Sequence, residues 1–395
     1  MTSPVSRQTQ HLMDVVGGFR ELSADEELWK DLARPGTCDF MFGNPHEIAP
    51  KRYVDALIRG ARPTGKAHYA YTDNLPEATS AIAAGLCDRF GIAFRDADIH
   101  MTNGNFAGLA IVLRTIVDPG DEVIFVSPPW FFYETLIVAA GATPVRVHAD
   151  RERSFDLDLG AVVDAITPAT RAVIVNSPHN PSGRIYTADQ LRELGALLEE
   201  ASARNGRPIF LLSDEAYNRI VFEPHTFTTP VAHYRHSFLL YTYAKTLLSP
   251  GSRLGYVAIP PGMPDADDLR EALHIGQITF GWAYPVSLLQ HAVPELETIG
   301  PDMPTLQRRR DVLISTLREQ GYEVIEPEGT FYILVRSPLE DDRRFMDMLR
   351  AHDVFVLPGS MFEMPGWFRL SVTANDDMVE RSLPGFAKAY AEAQA

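Results

Sequence analysis

Short apolar segments alternate with helical ones through the middle of the chain, and this rhythm limits the possible folds more than any other feature. Six segments have strand character, and most are apolar throughout: residues 122–126, 143–147, 171–175, 208–213, 237–243 and 256–259. Strands that are apolar at nearly every position are typical of a parallel sheet buried on both faces. The pattern therefore predicts an α/β fold around a mostly parallel sheet.

The helix between the third and fourth of these strands carries its own start and stop signals. Thr187 and Gln190 have the spacing of a capping box, and Gly206 is placed to end the helix that they begin. A strand follows at once, which gives the strand–helix–strand order of a parallel sheet.

The last hundred residues have a different pattern. Helical stretches near 306–320 and 344–352 are interspersed with strand-like segments, which predicts a smaller α+β domain. The first 60 residues contain one strand-like segment, 39–42, which needs a partner from elsewhere in the chain. We therefore expect a large domain over residues 61–290 and a small domain formed by residues 1–60 and 291–395.

Composition argues against several classes of partner. The 395 residues carry a formal net charge of −16, whereas nucleic acids and anionic membranes bind basic surfaces, so neither partner is expected. The first residues lack the pattern of a signal peptide, and no apolar run approaches the ~18 residues of a membrane-spanning helix. Cys38 and Cys87 stand far apart, which predicts buried or half-buried free thiols and a cytoplasmic location.

The main chemical signal is Lys245, which follows strand 237–243 and precedes Arg253 by eight residues. Asp214 directly follows strand 208–213, and Tyr217 lies three residues later. The carboxyl ends of parallel strands form the ligand-binding edge of an α/β sheet. A lysine that can form an imine and a carboxylate that keeps a ring nitrogen protonated suit pyridoxal 5′-phosphate. We predict this cofactor, held on Lys245 as a Schiff base.

Other residues suit the phosphate and the ring of that cofactor. Gly104, Asn105 and Phe106 form a turn that opens a helix, where free N–H groups favour an anion. Arg253 would add a cation whose fork suits phosphate. Trp130 begins an aromatic run after strand 122–126 and is expected to stack on the ring.

Two polar residues could hold the substrate. Arg369 is a single charge in the apolar segment 368–371, and its fork suits an α-carboxylate. Asn180 could reach both that carboxylate and the ring oxygen of the cofactor.

Four motifs, taken in order, carry a family resemblance: NSPHNPSG at 176–183, SDEAY at 213–217, YTYAKTLLSPGSRLGY at 241–256 and FRLS at 368–371. Together they resemble the class I aminotransferases, which are fold-type I pyridoxal-phosphate enzymes, over the span from Gly43 to Arg369. The resemblance implies a large domain with a mostly parallel seven-stranded sheet and a smaller α+β domain. It also implies amino-group exchange between an α-amino acid and a 2-oxo acid, in a homodimer with shared active sites.

The resemblance implies one role for each matched position. Lys245 would form the Schiff base, while Asp214 would pair with the ring nitrogen and Tyr217 with the ring hydroxyl. The remaining positions would bind the phosphate (Gly104, the amides of Asn105 and Phe106, Thr242, Arg253 and, across the subunit boundary, Tyr69), the ring (Trp130 and Asn180) and the substrate (Gly43, Asn180 and Arg369).

Departures from the family pattern bear on the reaction. Ala244 stands where serine is frequent, which leaves Thr242 to supply a hydroxyl to the phosphate. Phe106 is bulky and would disfavour acidic substrates if it enters the pocket, so we expect a non-acidic substrate side chain. His179 is similar to a position in carbon–sulfur β-lyases of this fold, so a β-lyase remains an alternative. An oxidative deaminase is a second alternative, because the lysine motif does not decide whether the Cα carbanion is protonated or captured by O₂.

Three other functions compete with this one. Residues 60–66 match the GxxxxGK loop of nucleotide hydrolases, but Ala67 lacks the metal-binding hydroxyl and a helix is predicted before the loop. A DNA-binding regulator on the same fold would need a basic N-terminal module, and none is evident. His233 and His236 form a close histidine pair, but no acidic or cysteine partners accompany them, which favours loop residues over metal ligands.

Overall fold

The computed structural model describes residues 4–395 and contains three β-sheets. The strands of these residues are, in chain order, β1 (Cys38–Asp39), β2 (Ile99–Thr102), β3 (Glu122–Ser127), β4 (Thr143–His148), β5 (Thr170–Asn176), β6 (Phe210–Asp214), β7 (Ser237–Thr242), β8 (Gly255–Ala258), β9 (Val324–Ile325), β10 (Tyr332–Arg336), β11 (Val354–Phe355), β12 (Leu357–Pro358) and β13 (Trp367–Ser371).

The α-helices of the same residues are α1 (Arg7–Val15), α2 (Gly17–Ala24), α3 (Glu26–Leu32), α4 (Lys51–Gly60), α5 (Pro76–Phe90), α6 (Asn105–Ile116), α7 (Tyr133–Ala139), α8 (Leu159–Ala165), α9 (Ala188–Asn205), α10 (Tyr243–Thr246), α11 (Ala266–Thr279), α12 (Ser287–Leu296), α13 (Met303–Glu319), α14 (Asp342–Arg350) and α15 (Asp376–Gln394).

The largest sheet has seven strands in the order β2-β8-β7-β6-β5-β3-β4. Pairing is parallel from β7 through to β4, whereas β8 runs antiparallel to both of its neighbours. Along β3, Val123 and Phe125 pack into one apolar cluster, while Ile124 and Val126 pack into another. Both faces of the strand are therefore buried, which explains its continuous apolar run and confirms the predicted mostly parallel sheet.

All six predicted strands are present, with ends that differ by at most two residues from the prediction. The seventh strand, β2, was missed because its sequence, Ile-His-Met-Thr, alternates apolar and polar residues over only four positions. Its pairing with β8 decides that it is a strand, and His100 is buried there in spite of its polarity. The structure also extends β6 by one residue, so that Asp214 itself is the last residue of the strand.

A second, four-stranded sheet has the order β12-β13-β10-β9 and is antiparallel throughout. Helices α13, α14 and α15 contribute Leu313, Phe345 and Phe386 to the apolar cluster on this sheet. Of the predicted strand-like segment 39–42, only Asp39 belongs to a strand, β1, which pairs in parallel with β11 near the C-terminus. Residues from the two ends of the chain are thus paired in one small sheet. Residues 290 and 291, where the predicted domain boundary falls, lie inside the continuous helix α12.

Two further expectations concern the whole chain. Within residues 4–395, no helix combines the length and apolar character that a membrane crossing demands. Cys38 is buried as expected, but Cys87 is exposed on α5, so the expectation of a buried or half-buried thiol was wrong there. The signal-peptide prediction includes residues 1–3, which lie outside the described part of the chain.

Candidate active site

A cavity of about 230 Å³ opens at the carboxyl ends of β5, β6 and β7, beside the start of α6. Strands β10 and β13 of the second sheet close its other side through Tyr332 and Arg369. Its lining consists of Phe42, Gly43, Asn44, Asn105, Phe106, Trp130, Phe131, Asn176, Asn180, Asp214, Ala216, Tyr217, Thr242, Ala244, Lys245, Pro250, Arg253, Tyr332 and Arg369. Every predicted site residue except Gly104 and Tyr69 is in this lining.

The strand ends explain why residues distant in sequence meet here. Asn176 ends β5 and stands opposite Asp214, the end of β6, in the parallel register. The Asn176 side chain donates to the Asp214 carbonyl (2.9 Å) and accepts the Asn180 amide (2.8 Å), which fixes the loop that carries Asn180. This edge is where open α/β sheets bind ligands.

The carboxylate of Asp214 is almost completely buried and receives hydrogen bonds on both oxygens. Asn105 donates to Oδ1 (2.7 Å), the Ala216 amide donates to the same oxygen (3.3 Å), and the Tyr133 hydroxyl donates to Oδ2 (2.5 Å). Burial raises the pKa of Asp214, while these donors and the charge of Lys245 lower it without cancelling the effect of burial. A cation placed against this carboxylate would restore its charged form.

Lys245 belongs to the one-turn helix α10, which begins directly after β7. The Thr242 side chain caps this turn by accepting the Ala244 amide (3.2 Å), and its hydroxyl donates to the Leu254 carbonyl (3.1 Å). Lys245 is half-buried, with Nζ 5.8 Å from the ring centroid of Tyr217 and 5.7 Å from that of Phe331. The Thr242 proton is thus used inside the chain, so any bond from it to a phosphate would require this hydroxyl to turn.

The turn before α6 lies close against the Arg253 side chain. Gly104 is the N-cap residue with φ +84°, a conformation that favours glycine. A Cβ on Gly104 would lie 2.8 Å from Nη2 of Arg253, and one on Gly255 would lie 3.0 Å from Cα of Gly104. Only glycines allow this close approach, which sets the guanidinium beside the free N–H groups of the helix start.

These groups together fit pyridoxal 5′-phosphate. A guanidinium and a helix start would hold the phosphate, a buried carboxylate would face the ring nitrogen, and the Lys245 amine would meet the aldehyde. Trp130 and Phe106 meet edge to face with their ring centroids 5.1 Å apart and form a half-buried aromatic wall on the cavity.

Arg369 is 3% exposed and lies on β13, within the cavity wall. Nη1 donates to Oδ1 of Asn180 (2.8 Å), Nη2 donates to the Met41 carbonyl (3.2 Å), and Nε has no partner among the described residues. Its guanidinium also covers the ring of Tyr332 at 3.8 Å. Such a buried cation, held only by neutral groups, suits an anionic ligand.

Tyr217 and Tyr332 form a buried pair beside Lys245, with ring centroids 5.9 Å apart. Burial raises the pKa of Tyr217 well above its ordinary value. Burial would also raise the pKa of Tyr332, but the charges of Lys245 and Arg369, together with hydrogen bonding from Tyr217 and the Gly43 amide, outweigh it and lower that pKa. The ring of Phe331 leaves no space for a Cβ on Gly43.

Sequence reasoning missed Tyr133, Tyr332 and Asn176 as members of this site. Tyr133 stood in the aromatic run that begins at Trp130, but the run does not show which aromatic side chain turns towards a carboxylate. Tyr332 lay in one of the strand-like segments of the last hundred residues, and the face to which its side chain points could not be assigned before the partner strands were known. Asn176 was read only as the first letter of a motif.

Other singled-out residues lie outside this cavity. Tyr69 is 59% exposed, and its hydroxyl donates to the Ala61 carbonyl of its own chain. His179 is buried, bonds to Ser182 Oγ (2.7 Å) and is absent from the lining, and burial lowers its pKa to about 4. It therefore does not reach a substrate in this cavity, which removes the sequence argument for a β-lyase.

The competing motifs lack the structure that they would need. The GxxxxGK match begins at the last residue of helix α4, where a nucleotide-binding loop would follow a strand. His233 and His236 are half-buried and absent from the cavity lining, and no cluster of three potential metal ligands occurs between residues 4 and 395.

Comparison with known proteins agrees with this geometry. A family model described as aminotransferase class I and II matches residues 37–383. The chain is 29% identical over 364 residues to a probable aspartate/prephenate aminotransferase of Aquifex aeolicus, and the alignment covers 89% of this chain and 91% of that protein. It is 30% identical to the aspartate/prephenate aminotransferase of Cereibacter sphaeroides, over 93% of this chain and 92% of the relative.

Solved structures extend the likeness to the whole fold. An aminotransferase from Eubacterium rectale matches over 100% of both chains, with a TM-score of 0.88 and 30% identity. Thermus thermophilus aspartate aminotransferase with maleate matches over 98% of this chain and 100% of its own, with a TM-score of 0.81 and 26% identity. This protein therefore has the fold-type I architecture and belongs to the class I and II aminotransferases, a family of pyridoxal-phosphate-dependent enzymes.

Proposed function

We propose that this aminotransferase holds pyridoxal 5′-phosphate on Lys245 and exchanges the amino group of an α-amino acid with a non-acidic side chain for the oxygen of a 2-oxo acid. The observation that carries the proposal is the convergence of Lys245, Asp214, Arg253 and Arg369 on one cavity. When bound, the cofactor supplies an electron-withdrawing ring that makes the substrate Cα–H acidic.

Each charged group then has a distinct task. Arg369 and Asn180 bind and orient the substrate carboxylate. The Lys245 amine, once displaced by the substrate amine, would remove the proton from the substrate Cα and deliver a proton to the former aldehyde carbon, two bonds from Cα. Asp214 keeps the ring nitrogen protonated, and Arg253 with the start of α6 anchors the phosphate.

The cavity wall supports a non-acidic substrate side chain. Its aromatic residues outside the tyrosine pair are Phe42, Phe106, Trp130 and Phe131. Among the described residues of the lining, the cationic side chains are the three that already have partners assigned above: the aldehyde, the phosphate and the α-carboxylate. A second carboxylate would therefore lose water against aromatic surface without gaining a cation from this chain.

The relatives' names point to aspartate and prephenate, so the competing proposal is an acidic substrate. A panel of phenylalanine, tyrosine, leucine and aspartate, each with a 2-oxo acid, separates the two. We expect kcat/KM for the best apolar or aromatic amino acid to exceed that for aspartate by about tenfold or more, since an unpaired polar group costs about 1–3 kcal/mol. Equal or better use of aspartate would refute the non-acidic assignment.

Phe106 gives the matched variants for this test. Phe106→Lys places a cation on the wall and should raise kcat/KM for aspartate, whereas Phe106→Leu keeps the wall apolar and should not. Release of pyruvate from a β-substituted amino acid without a 2-oxo acid would instead indicate a β-lyase, and release of H₂O₂ an oxidative deaminase.

The assembly is also part of the proposal. Tyr69 is 59% exposed although its hydroxyl donates to the Ala61 carbonyl, and Tyr71, two residues further on, is 96% exposed, which supports a second copy covering this region. We propose a homodimer in which Tyr69 reaches the partner's phosphate site. Sedimentation at micromolar concentration tests the dimer, and a monomer with full activity would refute it.

We further propose that the two-domain division applies, with residues 61–290 as the large domain and residues 1–60 and 291–395 as the small one. Helix α12 would carry the junction, because residues 290 and 291 lie within it. Pairing of β1 with β11 supports the union of the two chain ends. Two free cysteines support the cytoplasmic location.

A further inference from the structure

The carboxylate of Asp214 is held by two side chains that come from different parts of the fold. Asn105 donates to one oxygen at 2.7 Å, and the Tyr133 hydroxyl donates to the other at 2.5 Å. All three side chains are buried, with 7%, 3% and 5% exposure for Asn105, Tyr133 and Asp214. Neither donor lies on β6, so the arrangement is not local to the strand that carries the carboxylate.

Asn105 contributes to the cavity through both its backbone and its side chain. It is the first residue of α6, where its backbone belongs to the free N–H groups beside Arg253. Its side chain crosses to Asp214, 109 positions further along the chain. One residue therefore connects the turn that would bind the phosphate to the carboxylate that would face the ring nitrogen.

Tyr133 makes a second connection, from the aromatic wall. It is the first residue of α7, and its ring meets that of Trp130 edge to face with centroids 5.4 Å apart. A shift of the wall would therefore move the hydroxyl that binds Asp214.

We infer that Asn105 and Tyr133 are positioning residues that hold the Asp214 carboxylate in its charged form and aim it at the ring nitrogen of the cofactor. The inference rests on the proposed function, because it concerns how the same site keeps that nitrogen protonated.

The physical reason is the competition between burial and hydrogen bonding. Burial favours a neutral carboxyl group and raises the pKa of Asp214. Donors to the oxygens favour the charged form, and hydrogen bonds to charged groups are stronger than those between neutral ones. With one donor removed, the pKa of Asp214 rises further, so the carboxylate takes up more readily the proton that the ring nitrogen would carry, and an unprotonated ring withdraws electrons less.

The test uses the holoenzyme of Tyr133→Phe, Asn105→Ala and the double variant. Ring-nitrogen protonation is read by ¹⁵N NMR after reconstitution with ¹⁵N-labelled pyridoxal phosphate. We expect the nitrogen resonance of each variant to move towards the unprotonated position and kcat to fall about 10- to 100-fold. KM for the amino acid should change by less than about threefold, because neither side chain holds the substrate carboxylate.

Tyr186→Phe is the matched control. Tyr186 is a fully buried tyrosine, its hydroxyl has no partner among the described residues, and it is absent from the cavity lining. This variant should keep the wild-type resonance. Tyr133→Phe removes one oxygen and keeps the ring, so it remains informative if Asn105→Ala does not fold.

The outcomes separate the two proposals. A wild-type protein in which borohydride links no cofactor to Lys245 would refute the proposed function itself. A wild-type protein that forms this link, with Tyr133→Phe showing an unchanged resonance and a kcat within about twofold, would overturn only the positioning roles.

Discussion

The substitution Arg369→Met tests whether Arg369 serves ligand binding or the stability of the fold. The guanidinium is buried, forms no salt bridge with a described residue, donates hydrogen bonds only to the carbonyl groups of Asn180 and Met41 among those residues, and covers the ring of Tyr332. In the proposed complex it would bind the substrate carboxylate through two charge-assisted hydrogen bonds. At about 1.5 kcal/mol each, the lower end for such bonds, their loss amounts to about 3 kcal/mol, or roughly a hundredfold in affinity.

Two measurements on the same variant follow from this. Titration of the holoenzyme with an amino acid, followed by the change in cofactor absorbance, should give a dissociation constant about a hundredfold higher. Steady-state kinetics should show the loss mainly in KM, because the carboxylate is bound equally before and during the reaction. Arg369→Lys keeps the charge but not the fork, and should fall between the variant and the wild type.

Stability should respond differently. A buried cation without a carboxylate partner costs free energy, and removing it offsets the loss of its two hydrogen bonds. The free energy of unfolding of the Arg369→Met apoprotein should therefore lie within about 1 kcal/mol of that of the wild type. Arg309→Met is the control, since Arg309 is equally buried but pairs with Glu47 and Asp376. It should lose about 2 kcal/mol and keep wild-type amino-acid binding. Unchanged binding in Arg369→Met, or a stability loss like that of Arg309→Met, would refute the assignment.

The other predictions concern the cofactor site and the buried Glu215 next to it in the chain. Lys245→Ala should abolish the visible absorbance of lysine-bound cofactor and its reduction by borohydride, and a retained reducible link would exclude this lysine. Asp214→Asn should lower turnover by about 10²-fold or more while cofactor remains bound, and full activity would reject its role at the ring nitrogen. Burial raises the pKa of Glu215 to about 7, so its folded form holds a proton that the unfolded chain loses near its ordinary value of 4.5. The group therefore lowers stability as pH rises from about 4.5 to 7, and Glu215→Gln should remove up to about 3 kcal/mol of that loss in urea unfolding measured across this range; an unchanged pH profile would contradict it.

Much of the site could be read from the sequence because its groups follow strands. Lys245 and Asp214 come at the ends of apolar runs, and the carboxyl ends of parallel strands share one edge of the sheet. Capping chemistry is equally local: Thr187 and Gln190 form the predicted capping box, and Gly206 ends α9 in a left-handed conformation. These features depend on residues a few positions apart, so no knowledge of distant contacts was needed.

The sequence did not predict the orientation of side chains or the contacts between residues far apart in the chain. The sequence placed Asn105 at an anion-binding turn, but only the packed sheet shows its side chain on Asp214. The aromatic run predicted a stacking residue, yet the structure decides that Tyr133 turns inward to the carboxylate while Phe106 stays on the wall. A side chain at the start of a helix has several allowed rotamers, and the contacts that the rest of the fold provides determine which one it adopts.

By itself, then, the sequence predicted the α/β class and placed Asp214 and Lys245 at the ends of two strands. Both follow from local properties, namely hydrophobic periodicity and position relative to the end of an apolar run. The tertiary structure alone decided that β2 joins the sheet, that Arg369 is buried with no carboxylate of residues 4–395 paired to it, and that Asn105 and Tyr133 both donate to the Asp214 carboxylate. Each of these depends on contacts between residues far apart in the chain, whose free energy exists only once the sheet and its covering helices are packed.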